Sequence, residues 1–220
     1  MTFAFVWRDG WPGADGCDHV VGSLTASMGR AYRHPRRTMA QHIDQGLSEP
    51  HALFNLAAAC LLLFLASLPN AVREAALLDV DEPLTATIAA HIFGYFFVAP
   101  LLFYFAAAAA HLVARAFGGE GSFLSARSAL FWSALLGGPI AMLLSLVGVG
   151  AQVLGLSAQL PWLSYLGYAG LAFWLWLFAA SLAEAEGFAA TRGVLAMLAL
   201  VFAAVAAVSA MLAGGIGQTG

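Results

Sequence analysis

The clearest evidence for the fold lies in residues 93–139, FGYFFVAPLLFYFAAAAAHLVARAFGGEGSFLSARSALFWSALLGGP. Two long apolar runs, 84–117 and 129–150, meet here around the short polar link at 118–127. A helix needs roughly 20 apolar residues, about 30 Å in length, to cross the hydrocarbon core of a bilayer. The stretch therefore predicts two transmembrane helices joined by a tight turn.

Further apolar runs of similar length flank this pair on both sides. Across the chain 61% of the residues are hydrophobic and only 10% are charged, whereas about 25% of the residues of a soluble domain are charged. An ordinary soluble domain is therefore excluded. We predict an all-α fold, a polytopic membrane bundle of five transmembrane helices. The five apolar runs are 51–69, 84–117, 129–150, 160–183 and 193–213.

The arginines predict the orientation of this bundle. All nine basic residues are arginine, which indicates GC-rich, bacterial coding, and eight of them lie on one set of alternating links. The exception, Arg73, lies beside the acidic residues of 74–82. Because links rich in arginine stay in the cytoplasm, we expect a multi-pass protein of the bacterial inner membrane with a cytoplasmic N-terminus and a periplasmic C-terminus. The eight are Arg8, Arg30, Arg33, Arg36, Arg37, Arg115, Arg127 and Arg192. Topology explains these cations, so no binding of nucleic acid is expected.

Residues 1–47 are predicted to form a cytoplasmic N-terminal region, and residues 48–220 the five-helix transmembrane domain. The first 27 residues contain glycines and an aromatic start that includes Trp7 and Trp11. This segment is either an arm that docks on a partner or the product of a misplaced start codon, with Met28 as the true initiator. Both interpretations stay open at this point.

A short amphipathic helix is predicted over residues 32–47, where Met39, Ile43 and Leu47 recur at every fourth position. This pattern suits a helix that lies on the membrane surface and turns its basic side chains toward anionic lipid headgroups. The alternative is a soluble amphipathic helix that packs on the cytoplasmic loops. The basic candidates for contact with lipid or a partner are Arg33, Arg36 and Arg37.

The apolar runs also contain helix breakers and small residues. Pro100 lies midway along the second run, where its ring excludes the normal hydrogen bond and predicts a kink. A second break is expected where Gly137, Gly138 and Pro139 follow one another in the third run. The last run offers a face of small residues for close contact with another helix. That face consists of Ala199, Ala203, Ala206 and Ala210.

Signals of catalysis are scarce in this sequence. No Asp, Glu or Arg lies clearly at mid-span, and there is no zinc, phosphate-loop or nucleophile-elbow motif. His91 and His111 lie 20 residues apart on one run, about 30 Å along a helix, and no facing histidine would complete a haem site. Each is interpreted as an interfacial or interhelical hydrogen-bonding residue, and contact with a pigment stays an open alternative. We therefore predict no enzyme, no cofactor and no metal site.

Two stretches, YRHPRRTM at 32–39 and the helix pair at 93–139, resemble the Yip1 family of five-span membrane proteins. The resemblance runs from about Arg30 to the end of the chain. It implies a cytoplasmic N-terminus, five helices and a kinked helix followed by a glycine-containing loop. Eukaryotic members are associated with Golgi and ER trafficking and with small GTPases. This sequence resembles the membrane domain and lacks their long polar N-terminal region, as bacterial members do.

These observations lead to a non-catalytic membrane protein that acts as a scaffold or accessory subunit by packing against lipid and other integral membrane proteins. One version of this hypothesis places it in a bioenergetic complex. The alternative is a small transporter or channel that uses the kinked second and third helices, with Asn55 and Gln152 beside them.

Overall fold

The computed structural model describes residues 26–156 and 161–200, and every regular element in these ranges is helical. The N-terminal region contains α1 (26–33) and α2 (Pro35–Asp44). The bundle that follows consists of α3 (Glu49–Ala75), α4 (Pro83–Phe93), a π-helical segment (Gly94–Val98), α5 (Ala99–Ala116), α6 (Phe123–Val153), a 3-10 turn (Pro161–Tyr165), α7 (Leu166–Ala185) and α8 (Thr191–Leu200).

Four of these helical stretches are long and apolar enough to cross a membrane. They are Glu49–Ala75, Pro83–Ala116, Phe123–Val153 and Leu166–Ala185. The prediction of an all-α, multi-pass membrane protein is thereby confirmed. The predicted fifth span, 193–213, coincides at its start with the shorter apolar helix α8, and its remainder lies outside the described residues. Five spans therefore stay a prediction.

Helix α6 is the centre of the bundle, since it packs against α3, α5 and α7. Its first half is buried on all sides, as expected for a helix that other helices surround. The largest buried side chains on it are Leu130, Phe131, Trp132, Leu135 and Leu136.

The break predicted at Gly137–Pro139 does not occur, because α6 continues as an α-helix through all three residues. The two glycines instead allow close packing with neighbouring helices. A Cβ atom on Gly137 would lie 2.7 Å from Cδ1 of Trp174, and one on Gly138 would lie 2.7 Å from Cβ of Leu62. At this position the glycines therefore allow neighbouring helices to approach α6, and they do not interrupt it.

Pro100 lies two residues after the end of a π-helical segment, Gly94–Val98. Proline has no N–H to donate to the carbonyl of Phe96, four residues earlier, so the regular α-helical pattern is weakest in the turn before it. The second span therefore changes its helical geometry before Pro100, at about the place where the sequence predicts a kink.

The ends of two helices differ from the prediction. The first span continues through Pro69 to Ala75 rather than ending near the proline, so its last turns extend beyond the apolar run and are polar. The helix predicted over 32–47 is divided at His34, whose backbone is not helical (φ −137°, ψ 66°). The ring of the following Pro35 disfavours the α conformation there.

Candidate functional site

The spans alternate in direction, so their polar termini collect at two ends of the bundle. At one end α3 and α6 begin and α5 and α7 finish. We call it the "basic end", because Arg36, Arg115 and Arg127 lie there. The "acidic end" is the opposite one, where α3 meets α4 through residues 76–82. The two ends hold different polar groups, and each has a cavity.

Glu186 is the most deeply buried charged residue in the described part of the chain, with 1% of its surface exposed. One carboxylate oxygen lies 2.7 Å from Nδ1 of His111, and the other accepts a hydrogen bond from the backbone N–H of Gly121 at 3.1 Å. With Nδ1 protonated, His111 donates to the carboxylate. Glu186 therefore joins the end of α7 to α5 and to the α5–α6 loop.

The glycines of this loop are needed because the chain passes so close to Glu186. A Cβ atom on Gly119 would lie 2.8 Å from the Glu186 carboxylate, and one on Gly121 would collide with the backbone carbonyl of Ala185. Ser122 follows and caps α6 by accepting a hydrogen bond from the N–H of Ser125. The loop is a turn, and it is wrapped around a buried carboxylate.

Arg127 is a second buried charge at the basic end, with 8% of its surface exposed. Its guanidinium pairs with Glu49 at the start of α3. It also lies over the rings of Tyr104 and Phe123, at 5.4 and 5.3 Å from their centroids, which is cation–π distance. One side chain thus ties α6 to α3 and α5.

Arg36 attaches α2 to the bundle. Its Nε lies 2.9 Å from Oε2 of Glu184, and its other two nitrogens each donate to a carbonyl just beyond α7, that of Phe188 and that of Ala189, at 2.9 Å. A protein carboxylate and two carbonyls therefore take up three of the five N–H donors of Arg36, and contact of this side chain with lipid headgroups stays a prediction. The alternative, an amphipathic helix packed on the loops, describes α2 better. Arg33 and Arg37 are exposed, and their contact with lipid stays a prediction.

A polar cavity of about 160 Å³, the basic-end pocket, lies between α2, α3 and α6. The ring of His42 lies 4.5 Å from that of Trp132 and 5.7 Å from that of His51. Burial, together with the nearby His51, lowers the pKa of His42. The pocket is lined by Met39, His42, Gln45, Gly46, Leu47, Ser48, His51, Ala52, Asn55, Ser128 and Trp132.

A larger cavity of about 630 Å³, the acidic-end cavity, lies among all four spans. Its polar lining includes Asn70, Glu74 and His91, and Trp174 also contacts it. Nε2 of His91 lies 3.7 Å from the Glu74 carboxylate, and its Nδ1 lies 2.9 Å from the carbonyl of Thr87. The indole N–H of Trp174 is bonded to the carbonyl of Ser133 at 3.1 Å.

His91 and His111 thus lie at opposite ends of the second span, each beside a protein partner. Within residues 26–156 and 161–200, no three His, Cys, Asp or Glu side chains gather in a way that could hold a metal ion. Helix α8 turns Val194, Met197 and Leu198 inward and leaves Ala199 exposed. The other candidates, Trp7, Trp11, Ala203, Ala206 and Ala210, lie outside the described residues.

The sequence profile of the Yip1 domain matches residues 29–212, which include α2, all four described spans and α8. The chain belongs to the Yip1 family. Members of this family are generally non-catalytic membrane proteins, and this chain is a multi-pass member. Comparison with curated proteins and with solved structures gives no match.

Sequence reasoning missed Glu186 and Arg127 as the centres of the basic end. Both occur at the border between an apolar run and a polar link, where hydropathy alone treats a charge as solvated. The signal that could have identified Glu186 is the pair Gly119 and Gly121, since two glycines so close together indicate that another group approaches the backbone.

Proposed function

We propose that this Yip1-domain protein is a non-catalytic scaffold or accessory subunit that works by packing against other integral membrane proteins and lipid. One observation carries the proposal. Within the most apolar 18 residues of the second span, Pro83–Ala116, only 6% are buried inside the bundle, whereas the corresponding share in the other three spans is 28–39%. A long apolar helix with so few buried residues offers much of its surface to the surrounding membrane.

The open surface of this span is unusually aromatic. Phe93 and Phe97 stack with their ring centroids 5.5 Å apart, and Phe105 lies further along the same span. All three are exposed. Helices associate in lipid through van der Waals packing rather than the hydrophobic effect, and large flat rings provide that contact area. The surface therefore supports an integral membrane partner, such as a subunit of a bioenergetic complex.

The test is purification from native membranes in mild detergent, followed by mass spectrometry of the companions. We expect the double variant Phe97→Ala, Phe105→Ala to lose a companion that the wild type retains. Leu143→Ala is the matched control, because Leu143 on α6 is 62% exposed and Phe97 is 61% exposed. A wild-type chain that migrates alone at every concentration would contradict the proposal.

We further propose that the basic end faces the cytoplasm of a bacterial inner membrane and that the C-terminus is periplasmic. The positions of Arg36, Arg115 and Arg127 support this orientation. Single cysteines at two exposed positions test it, Arg37→Cys and Asp81→Cys, in a background without Cys17 and Cys60. An impermeant thiol reagent added to intact cells should label the cysteine at position 81 and spare the one at position 37. The reverse pattern would invert the topology.

The acidic-end cavity favours the transporter alternative, because transporters bind their substrates in cavities beside helices whose regular pattern is interrupted, and the second span has its π-helical segment here. In the part of the chain that the structure describes, buried Ala59 and Cys60 on α3 and buried Ser133 on α6 lie along the helices between this cavity and the basic-end pocket. A cysteine replacing Ser145 distinguishes the two functions. Labelling from the acidic side alone favours the scaffold, and labelling from both sides favours a transporter.

A further inference from the structure

The basic-end pocket has a buried floor and an exposed mouth. Ala52, Asn55, Ser128 and Trp132 are buried, whereas Gln45, Gly46 and His51 are exposed. Because Glu49 begins the first span, the mouth lies beside α2 at the level where a helix enters the membrane. Lipid headgroups occupy this level of a bilayer.

Two polar atoms in the floor have no hydrogen-bond partner. They are Oδ1 of Asn55 and Nε1 of Trp132, and the residues are 3% and 1% exposed. Buried polar groups are almost always paired, so an unpaired indole N–H and an unpaired amide oxygen among the residues of one cavity point to an occupant. The oxygen and nitrogen of a side-chain amide are assigned from the hydrogen-bond network. Turned by 180°, Asn55 presents an N–H donor in place of the unpaired oxygen, so that both unpaired groups of the lining are donors.

A third feature of the pocket is the start of α3, a helix of 27 residues. Ser48 occupies the N-cap position, yet no side chain caps the helix. The first backbone N–H groups of a helix and its dipole together attract a negative charge. The carboxylate of Glu49, in the first turn, pairs with Arg127 instead. No Asp or Glu lines the pocket, so nothing in its lining repels an anion.

We propose that the basic-end pocket binds the phosphate diester of a phospholipid headgroup. The indole N–H of Trp132, the amide of Asn55 and the uncapped start of α3 supply donors to the phosphate oxygens. The two imidazoles and Ser128 add further polar groups to the lining. A volume of about 160 Å³ equals roughly five water molecules at about 30 Å³ each, which suits a phosphate with part of its headgroup. The acyl chains stay in the bilayer. Binding of the lipid is independent of any protein partner.

A variant that removes only the indole N–H tests the proposal most directly. Trp132→Phe keeps an aromatic ring in the pocket. Trp174→Phe is the matched control, because the N–H of Trp174 is bonded to a protein carbonyl and Trp174 does not line this pocket. We expect native mass spectrometry to detect about tenfold less co-purified phospholipid with Trp132→Phe, equivalent to about 1.4 kcal/mol. Trp174→Phe should retain the wild-type amount.

Asn55→Asp provides a second variant of nearly the same shape. Its added negative charge should repel a phosphate and lower the retained phospholipid at least as much as Trp132→Phe. Unchanged phospholipid in both variants would overturn the proposal. Equal losses in Trp132→Phe and Trp174→Phe would also overturn it, because a general loss of packing would then explain both.

Three probes identify the source of the phosphate. Delipidated full-length protein in maltoside micelles is titrated with dihexanoylphosphatidylglycerol, dihexanoylglycerol or inorganic phosphate, and the ¹⁵N indole resonance of Trp132 is followed. We expect a saturable shift with the phospholipid at concentrations where the other two have no effect. Equal response to dihexanoylglycerol would assign the pocket to a hydroxyl or acyl group. Equal response to inorganic phosphate would assign it to a free anion, and no response to any probe would leave water as the occupant. Each of these three results refutes a phospholipid site.

Discussion

The two ends of the bundle differ in how their polar and aromatic groups are used. At the basic end Arg36, Arg127 and Glu186 each contact groups of other elements of the same chain. Toward the acidic end the second span has a π-helical segment, exposed aromatic side chains and a large cavity beside it. Contacts within the chain therefore hold the basic end together, whereas the acidic end leaves side chains exposed to its surroundings.

This difference follows from the cost of charge near a membrane. A buried charge is expensive unless another group compensates for it, so each buried charge at the basic end needs a partner in the fold. Apolar surface has no such requirement in lipid, because lipid tails solvate it as well as protein does. The fold can therefore leave the second span open without loss, and the open surface is available for partners.

The largest effect is expected from Glu186→Ala, which would show whether the basic end depends on its buried charge. The substitution leaves His111 and the Gly121 N–H without their partner. Removing one member of a buried pair costs about 3–5 kcal/mol, so we expect a loss of this size in the free energy of unfolding in maltoside micelles. Glu120→Ala is the control, because the side chain of Glu120 is exposed in the same loop. A similar stability for both variants would mean that the buried carboxylate is dispensable.

The glycine of the wrapping loop should give the next largest effect. In Gly121→Ala the new methyl group would collide with the backbone carbonyl of Ala185, which cannot rotate away as a side chain can. Overpacking of this kind costs about 1–3 kcal/mol, measurable as a lower midpoint of denaturant unfolding. Gly148→Ala on α6 has nothing within 4 Å of the added atom and should be tolerated. Equal tolerance of Gly121→Ala would show that the loop is looser than described.

Arg36→Ala tests how α2 is attached at the surface of the basic end. The substitution should detach α2 and leave the spans intact. The Arg36 and Glu184 side chains are 36% and 28% exposed, so solvent screens their attraction and we expect about 1 kcal/mol or less from the ion pair. The two carbonyl contacts add to it. Limited proteolysis within residues 45–48 should become faster in Arg36→Ala. Arg37→Ala, at an exposed position, should leave the rate unchanged. Equal rates in both variants would contradict the role given to Arg36.

The smallest effect concerns pH. Burial lowers the pKa of His42 in the folded protein, and His51 facing it lowers it further. The unfolded chain therefore binds more protons just below about pH 6.5, and stability falls as the pH drops through this range. The docking of α2, followed by the same proteolysis, should weaken between neutral pH and about pH 5.5. His42→Gln should flatten this dependence, and an unchanged slope would assign it to another group.

The sequence predicted the second span closely, as 84–117 against Pro83–Ala116, because uninterrupted hydropathy defines it. The sequence predicts that the third span begins at residue 129, yet α6 begins at Phe123. Arg127 is compensated within the helix by Glu49 and the ring of Tyr104, which are distant in sequence. Glu186 could not be assigned for the same reason, since its partner His111 is 75 residues away. Local patterns reveal which segments enter lipid, and they do not reveal which charges find partners there.

The contact of Arg36 with Glu184 has a consequence for how the protein is made. The two residues are 148 positions apart in the chain. At about 5–20 residues per second of synthesis, the N-terminal helix waits roughly 7–30 s before its acceptor leaves the ribosome. Throughout that interval the first three spans can already be in the membrane while Arg36 has no acceptor. Docking of the helix is therefore a late step of biogenesis, which closes the basic end only after the fourth span has been made.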